Sequence, residues 1–451
     1  MLTSRRKFYL SGSDWAINTV DYMMKSVIGT GNVCQLVLLL DGCIDEQILR
    51  NSLNLFVKKF PLLQGRVARD FKLTPYWKIP ASMKRDINLK VSHIREADES
   101  EGFFAKLIEN ADSSFLYNKE YIDFHLFISS GRSALAMRFD HRLLDGRGAE
   151  SFLNLFQKSL YDQSISGNIN FVSSMELTEW KSKFQAGKNV NRALIALSQS
   201  TPQSLSVKTL PGKKFRYRLL GFDKAETAAI YEKAYRKAGY LMESPFFLAV
   251  ITQSMHELFQ SRNCFDGSCY LIPATVDTRP GNNPLQEIFF NHVSYLFYQI
   301  PVEQAADMKA LVTLLKQQMY EQVKSGLPAD MNEASLLARI LPLSLYGKLM
   351  HLPAKGKIAS FAFSHLGKSS YQDKQFMETP IENIFHMPRV PLPPGIGFFS
   401  NLCDGRLNLV ISCVDGIITD SELDALEAAI RSKIGILPDD SCSKSETTGR
   451  Q

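Results

Sequence analysis

Hydrophobic and polar positions along this chain recur with the periods that are typical of strands and helices. Residues 35–40 (QLVLLL) form a continuous apolar run, which predicts a buried strand. Residues 123–129 alternate apolar and polar side chains, and 133–139 follow them after a turn with glycine, so both ranges predict strands. The range 150–161 predicts a helix because its apolar residues recur on one helical face.

The second half of the chain repeats this mixture of elements. Strands are predicted over 215–222, 269–274, 292–300, 358–363, 396–400 and 407–413, and helices over 224–237, 243–260, 305–324, 334–350 and 420–433. Between the halves the apolar pattern weakens, and Ser, Asn, Gln and Lys are common. We therefore expect an α+β fold with two lobes of similar size. The predicted parts are an N-terminal lobe (1–165), a connecting region (166–213), a C-terminal lobe (214–437) and a disordered tail (438–451).

Composition is consistent with a globular protein, since 45% of the 451 residues are hydrophobic and 22% are charged. The net charge of +6 is spread without a long basic run, so the sequence gives no support for nucleic-acid binding. The seven cysteines include no CxxC pair, which disfavours both a metal site and a disulfide framework. Neither a signal peptide nor a transmembrane segment is indicated. We expect a soluble, cytoplasmic monomer.

The segment 140–146 (DHRLLDG) carries the candidate chemistry, because it follows directly on the predicted strand 133–139. A neutral imidazole such as that of His141 can accept a proton from a hydroxyl, thiol or amine that attacks a carbonyl group. Asp145 is costly to bury unless it is paired, so we expect it to organise the loop through a cationic partner. Gly146 and Gly148 are expected to give the chain freedom to turn there.

Two other interpretations of this segment stay open on the residues alone. His141 could be a structural histidine that is hydrogen-bonded at the end of a strand. His141 and Asp145 could instead be metal ligands, since they are four residues apart. A catalytic zinc needs a third protein ligand, and no residue is spaced suggestively for that role, so no metal site is predicted.

The order His141-x-x-x-Asp145-Gly146 after a strand resembles the HxxxDG signature of the chloramphenicol acetyltransferase-like group. That group includes nonribosomal peptide condensation domains, polyketide-associated acyltransferases, alcohol acetyltransferases and wax ester synthases. Further segments resemble the family at 10–14, 40–63, 277–280, 363–367 and 397–407, so the similarity covers nearly the whole chain. Two departures are visible: Asp140 stands where many relatives have a first histidine, and the DFGWG motif of plant-type alcohol acyltransferases is absent.

The resemblance implies a pseudo-dimer of two lobes with a tunnel between them. An acyl donor, carried on coenzyme A or on the phosphopantetheine of a carrier protein, would enter from one face, and a small-molecule alcohol or amine acceptor from the other. His141 would act as the general base. Asp145 would pair with Arg279 and shape the loop. A tetrahedral oxyanion also needs a hydrogen-bond donor. The candidates for that donor are Ser364, Ser400 and Asn401.

The resulting hypothesis is an ester-forming acyltransferase that uses a coenzyme A or carrier-protein thioester as a substrate and holds no permanently bound cofactor. Any carrier protein would act in trans. The first alternative is a stand-alone condensation enzyme that forms an amide, and a wax ester synthase-like enzyme is a further one. A catalytically silent domain that only docks a carrier protein is the alternative from another class. Such domains usually lose the motif histidine, which this chain retains.

Overall fold

The computed structural model describes residues 7–94, 99–116, 120–162, 180–205, 214–281 and 287–435. Within these ranges the chain forms two six-stranded sheets and one small three-stranded sheet, with helices packed against them. The predicted α+β fold with two lobes is confirmed. The predicted tail, 438–451, lies outside the described residues. No helix among the described residues combines the length and the apolar character that crossing a membrane requires.

The first lobe contains the elements up to Tyr161. They are β1 (Lys7–Tyr9), α1 (Gly12–Val27), β2 (Val33–Leu40), α2 (Glu46–Val57), β3 (Arg66–Arg69), β4 (Pro75–Lys78), β5 (Leu89–His93), α3 (Glu99–Asp112), β6 (Ile122–Ser129), β7 (Arg132–Asp140) and α4 (Gly146–Tyr161).

The remaining elements follow from Trp180 onward. They are α5 (Trp180–Leu197), β8 (Phe215–Phe222), α6 (Lys224–Ala238), α7 (Glu243–Ser261), β9 (Cys269–Asp277), β10 (Val293–Pro301), α8 (Met308–Lys324), α9 (Leu327–Ala338), α10 (Leu343–His351), β11 (Ala362–Lys368), β12 (Gln375–Phe376), β13 (Thr379–Pro388), β14 (Ile396–Cys403), β15 (Arg406–Val414) and α11 (Asp420–Ile434).

The first large sheet has the order β12-β13-β2-β7-β6-β5, with β2 at its centre. Strand β2 is apolar throughout its second half because both of its faces are covered. Leu36 and Leu38 belong to the core that α2 and α4 complete, whereas Val37 belongs to a second core shared with α3 and the other lobe. Strand β7 pairs antiparallel with β2 and carries the chain to Asp140 at one end of the sheet.

The second large sheet has the order β10-β9-β11-β14-β15-β8. Helices α6, α7 and α11 contribute buried residues to the core on this sheet. The boundary between the lobes is not a single point along the chain, because β13 returns to the first sheet and pairs with β2. Strands β12 and β13, which lie within the range predicted for the C-terminal lobe (214–437), therefore belong to the first sheet. The sequence did not show β13 because Glu382 and Asn383 interrupt its apolar pattern and prolines stand near both of its ends.

The connecting region holds a helix, and one prediction about the helices is corrected. The connecting region contains α5, which packs against α9, with a hydrogen bond from Asn189 to Asp330 of 2.8 Å. The single helix predicted over 334–350 is two helices, because α9 ends before Pro342 and α10 begins after it. Proline cannot donate the backbone hydrogen bond that a continuous helix needs, which explains the break.

Candidate functional site

The loop of the predicted motif lies between the end of β7 at Asp140 and the start of α4 at Gly146. Asp145 is the N-cap of α4, and one of its carboxylate oxygens accepts a hydrogen bond of 2.8 Å from the Gly148 backbone N–H. Such caps satisfy a backbone donor that has no partner inside the helix. His141 is thereby placed in a short turn between a buried strand and a capped helix.

A segment of the second lobe, 288–292, lies directly against this loop. The Phe290 N–H donates to the Leu143 carbonyl over 2.6 Å, and Phe290 also forms a parallel bridge with Leu144. Two residues further on, the His292 N–H donates to the second carboxylate oxygen of Asp145 over 3.0 Å. The conformation of the motif loop is therefore held by backbone hydrogen bonds from the other lobe.

Asp145 and Arg279 form an ion pair, with the Asp145 side chain 3% exposed and the Arg279 side chain 11% exposed. Arg279 also pairs with Asp277 over 2.9 Å. Burial alone would raise the pKa of Asp145, but the Arg279 guanidinium and the N–H groups of His292 and Gly148 outweigh it and lower that pKa. Asp145 is therefore a structural anion.

The two glycines of the motif have a different function from the predicted one. Gly146 and Gly148 lie in the first turn of α4, and neither adopts the positive φ of a turn glycine. A Cβ at Gly148 would lie 2.2 Å from the Ile288 carbonyl oxygen, whereas one at Gly146 would lie 3.2 Å from the end of the Leu366 side chain. Gly148 is needed because the backbone of the second lobe approaches it closely.

His141 is partly exposed, while Asp140, Leu143 and Asp145 around it are buried. Its Nδ1 lies 2.9 Å from the Asn291 side-chain oxygen, and the Asn291 amide nitrogen donates to the His141 carbonyl over 3.0 Å. Within the described ranges, no group of three or more His, Cys, Asp or Glu side chains is placed to hold a metal ion. The histidine is held by an amide, which leaves Nε2 as the ring atom that a substrate could approach.

Neither Asn291 nor the role of the residue behind it, Asp14, was apparent from the sequence. Asp14 accepts a hydrogen bond of 2.9 Å from the Asn291 backbone N–H, and its other oxygen accepts from the Ser11 backbone N–H over 2.8 Å. Ser11 and Asp14 form the capping box of α1. The segment 10–14 resembled the family, but nothing in its pattern indicated a connection to the motif histidine.

Two of the three candidate oxyanion donors are buried and already bonded. The Asn401 amide donates to the Ile384 carbonyl over 2.8 Å, and the Ser400 hydroxyl lies 2.8 Å from Nδ1 of His365. Ser400 and Asn401 are 4% and 2% exposed. In the part of the chain that the structure describes, none of these bonds leads to His141.

Ser364 is the candidate with the most accessible side chain, since it is only partly buried. Its hydroxyl lies 2.8 Å from the Thr275 hydroxyl on the neighbouring strand β9, and either oxygen could be the donor. One hydrogen of this pair is consequently free to turn towards another acceptor. This bond does not lead to His141 either, so the role of Ser364 as oxyanion donor stays a prediction.

Helix α4 is fixed to the later part of the chain by a second buried cluster. Glu150 accepts hydrogen bonds from His386 over 2.9 Å and from the Ser370 backbone N–H over 2.6 Å. Burial acts to raise the pKa of Glu150, but the bonds from His386 and Ser370 dominate and lower it. Arg147 donates to the Leu366 carbonyl, so α4 is tied to both strands β11 and β13.

A cleft of about 480 Å³ lies near the opposite end of strands β2 and β7. Its lining residues are Leu39, Leu40, Phe103, Phe104, Leu107, Arg132, Ser133, Arg218, Leu219, Glu382, Phe385 and Glu427. Ser133 is at the start of β7 and Asp140 at its end, so roughly 23 Å separate this cleft from the motif loop at 3.3 Å per residue. The cleft is not part of the site around His141.

No family model matches the sequence, and no curated protein does. Solved structures do match over nearly the whole chain. The first condensation domain of the calcium-dependent antibiotic synthetase, in complex with a substrate analogue, has a TM-score of 0.69 at 14% identity, with 95% of this chain and 96% of that chain covered. The TRI3 trichothecene 15-O-acetyltransferase from Fusarium sporotrichioides has a TM-score of 0.67 at 11% identity, with 95% of each chain covered.

An epimerization domain from the third module of tyrocidine synthetase B also matches, with a TM-score of 0.60 at 12% identity and 95% of each chain covered. These TM-scores establish a common fold. Because the matched proteins are described as condensation, acetyltransferase and epimerization domains, the fold by itself does not specify a reaction.

Proposed function

Because the chain has the fold of the chloramphenicol acetyltransferase-like superfamily, we propose that it is an acyltransferase with His141 as its general base. It transfers an acyl group from a thioester of coenzyme A or of a carrier protein to the hydroxyl of a small molecule. The thioester is a substrate, and no cofactor stays bound. A carrier protein, where it is the donor, acts in trans.

The geometry of His141 is the observation that carries this proposal. The ring is partly exposed, its Nδ1 is bonded to Asn291, and the loop around it is locked by the buried pair of Asp145 and Arg279. A partly exposed imidazole with one nitrogen bonded and the other available has the arrangement of a general base. Such positioning supports catalysis because the base need not be ordered again in each turnover.

The proposed reaction transfers the acyl group in two steps, with His141 as the carrier of the proton. The acceptor hydroxyl gives its proton to Nε2 of His141 while its oxygen attacks the thioester carbonyl carbon. The tetrahedral oxyanion accepts a hydrogen bond, for which the hydroxyl pair of Ser364 and Thr275 is the candidate donor. The carbon–sulfur bond then breaks, and the leaving thiolate takes the proton from Nε2. Ester and free thiol are released, and His141 returns to its neutral state.

Amide formation is the second candidate function, and the structural similarity to condensation domains favours it. The similarity to an acetyltransferase that is described as acting on oxygen favours the ester. A domain that only docks a carrier protein is the third candidate. A retained histidine with a bonded Nδ1 is unnecessary for docking, so the site supports an enzyme.

The decisive experiment combines several acyl-coenzyme A and acyl-carrier donors with mixed alcohols and amines, and detects new esters or amides by mass spectrometry. The His141→Ala variant is run beside the wild type, and the exposed residue His93 gives a matched control, His93→Ala. We expect His141→Ala to lose about 10²–10⁴-fold in rate and His93→Ala to keep it. Wild-type product formation by His141→Ala would refute the base assignment. Carrier binding without product by the wild type would favour the docking domain.

A further inference from the structure

The side-chain amide of Asn291 connects three groups of the site. Its oxygen lies 2.9 Å from Nδ1 of His141, and its nitrogen lies 3.0 Å from the His141 carbonyl oxygen and 3.4 Å from a carboxylate oxygen of Asp14. The Asn291 backbone N–H also donates to that carboxylate oxygen over 2.9 Å. Asn291 is 6% exposed and Asp14 is 2% exposed, so water has little access to these bonds.

This set of contacts determines which way the amide points. The carbonyl oxygen of His141 and the carboxylate oxygen of Asp14 are both acceptors, so the Asn291 atom between them has to be the NH₂ group. The reversed amide would place an oxygen against two oxygens and leave a buried carbonyl and carboxylate without this donor. The amide oxygen of Asn291 therefore faces the imidazole.

The orientation of the amide in turn determines the histidine tautomer. An amide oxygen only accepts hydrogen bonds, so Nδ1 of His141 has to carry the hydrogen that is donated to it. In the neutral ring the lone pair is then on Nε2. An acceptor beside one ring nitrogen is the same device that orients the base in the Cys-His-Asn and Ser-His-Asp arrangements of hydrolases.

We propose that Asn291, itself oriented by Asp14, is the positioning residue that holds His141 in the tautomer with its lone pair on Nε2. Asn291 acts through the histidine and need not touch substrate. The inference rests on the proposed function insofar as it makes His141 the base. The tautomer itself is a property of the folded chain that does not depend on any substrate.

Asp14 is kept in place from the first helix. Its second oxygen accepts from the Ser11 backbone N–H and from the Ser11 hydroxyl, both over 2.8 Å. The start of α1 thus has a function in orienting the histidine, because the capping residue Asp14 holds Asn291 and Asn291 holds His141. The charged and titratable groups packed around the histidine loop include Asp14, His292, the Asp145–Arg279 pair, the Asp140–Arg142 pair and Asp21, which lies 3.4 Å from Arg142.

Two variants of Asn291 separate orientation from packing. Asn291→Leu keeps the approximate volume and removes all three side-chain contacts, whereas Asn291→Asp keeps an acceptor beside Nδ1 but adds a carboxylate whose second oxygen faces the His141 carbonyl and Asp14. The matched control is Asn408→Leu, because Asn408, on β15 of the second sheet, is also a buried asparagine that donates to a carbonyl, that of Ile384 on β13 of the first sheet. The charged neighbours of the loop are the same in both Asn291 variants, so the difference between the two reports the retained acceptor together with the added carboxylate.

The first measurement needs no activity. Histidine labelled with ¹⁵N, observed by long-range ¹H–¹⁵N correlation spectra, shows which ring nitrogen carries the hydrogen. The His141 signals are those that disappear in His141→Gln. We expect wild type and Asn408→Leu to show the hydrogen on Nδ1 of His141, and Asn291→Leu to show both tautomers. A wild-type hydrogen on Nε2, or an unchanged tautomer in Asn291→Leu, would overturn the inference.

The second measurement uses the acyl transfer reaction. We expect Asn291→Leu to lower kcat by about 10–100-fold with little change in KM, because general base catalysis contributes about 10²–10⁴-fold. Asn291→Asp should recover part of the loss and move the acid limb of its kcat/KM profile to higher pH by about one unit or more, since a carboxylate stabilises the cationic ring. Asn408→Leu should change neither kcat nor the profile.

The two measurements distinguish the failure of each idea. If the tautomer changes in Asn291→Leu while kcat does not, the assignment of His141 as the base in the proposed function fails, but the tautomer inference holds. If the tautomer is unchanged while His141→Ala is inactive, the proposed function holds and the positioning residue is wrong. Equal losses of kcat in Asn291→Leu and Asn408→Leu would show a packing effect and would also reject the inference.

Discussion

Removal of Arg279 should destabilise the protein because it leaves the Asp145 carboxylate buried without its cation. Both side chains of the pair are almost fully buried. The loss of one partner of such a pair typically costs about 3–5 kcal/mol. Asp145 keeps the backbone N–H donors of His292 and Gly148, so we expect Arg279→Met to lower the free energy of unfolding by about 3 kcal/mol, near the lower end of that range. Methionine retains apolar volume where alanine would add a cavity.

A double-mutant cycle isolates the interaction between the two groups. Asp145→Asn removes the charge and should cost about 1–3 kcal/mol, because one amide end then faces a backbone donor. The double variant Arg279→Met with Asp145→Asn no longer buries an unpaired carboxylate. We expect the loss of unfolding free energy in the double variant to be smaller than the sum of the two single losses by about 1–3 kcal/mol. Urea unfolding followed by far-UV circular dichroism measures all four proteins.

The dependence of stability on pH gives an independent check on the same pair. The lowered pKa of Asp145 means that its contribution is present above the unfolded value, about 3.9, and is lost as the pH falls through the lower folded value. Arg279→Met should therefore reduce the loss of stability in acid. The reasoning would be refuted if the losses of unfolding free energy in the cycle were additive to within about 0.5 kcal/mol and the loss of stability in acid were the same in Arg279→Met as in the wild type.

Two further predictions concern the close contacts of α4 and a buried histidine. Gly148→Ala should lower the free energy of unfolding by about 1–3 kcal/mol or more, because its Cβ would meet the Ile288 backbone. The control Gly146→Ala meets only a flexible side chain and should lower it less. Equal decreases of the melting temperature in the two variants would contradict this prediction. Burial lowers the pKa of His365 to about 4, so its stability contribution is complete above about pH 6.5 and falls by up to about 1.4 kcal/mol per pH unit between there and 4. We expect His365→Gln to flatten the pH dependence of unfolding over that interval, and an equally steep curve would reject the assignment.

The sequence predicted those elements that are encoded by the pattern of apolar and polar residues within a short segment. Strands β2, β6 and β7 were visible because their apolar runs are uninterrupted or alternate regularly, and His141 was visible because it follows one of them in a recognisable hexad. Arg279 was found through a segment that resembled the family. In each case the residues that carry the signal are neighbours in the sequence.

The missed features depend on contacts between distant parts of the chain. Asn291 is 150 residues from His141 and 277 residues from Asp14. A single asparagine in the sequence does not indicate contacts with residues so far away. Strand β13 is held by its pairing with β2 despite a polar interruption, which is tertiary context prevailing over local propensity. Gly148 was predicted to provide flexibility. The backbone whose close approach requires a glycine there comes from another lobe, so the local sequence did not indicate it.

These long-range contacts have one consequence for the mechanism. Arg279, Asn291 and His292 all belong to the stretch that leads from β9 to β10, and each one bonds the motif loop of the first lobe. The position of His141, the proposed base, therefore depends on how that stretch of the second lobe is docked. A separation of the lobes at this point would break the ion pair and release the histidine ring together. The two-lobed arrangement is thus a condition for an oriented His141, and the HxxxDG hexad alone would not provide it.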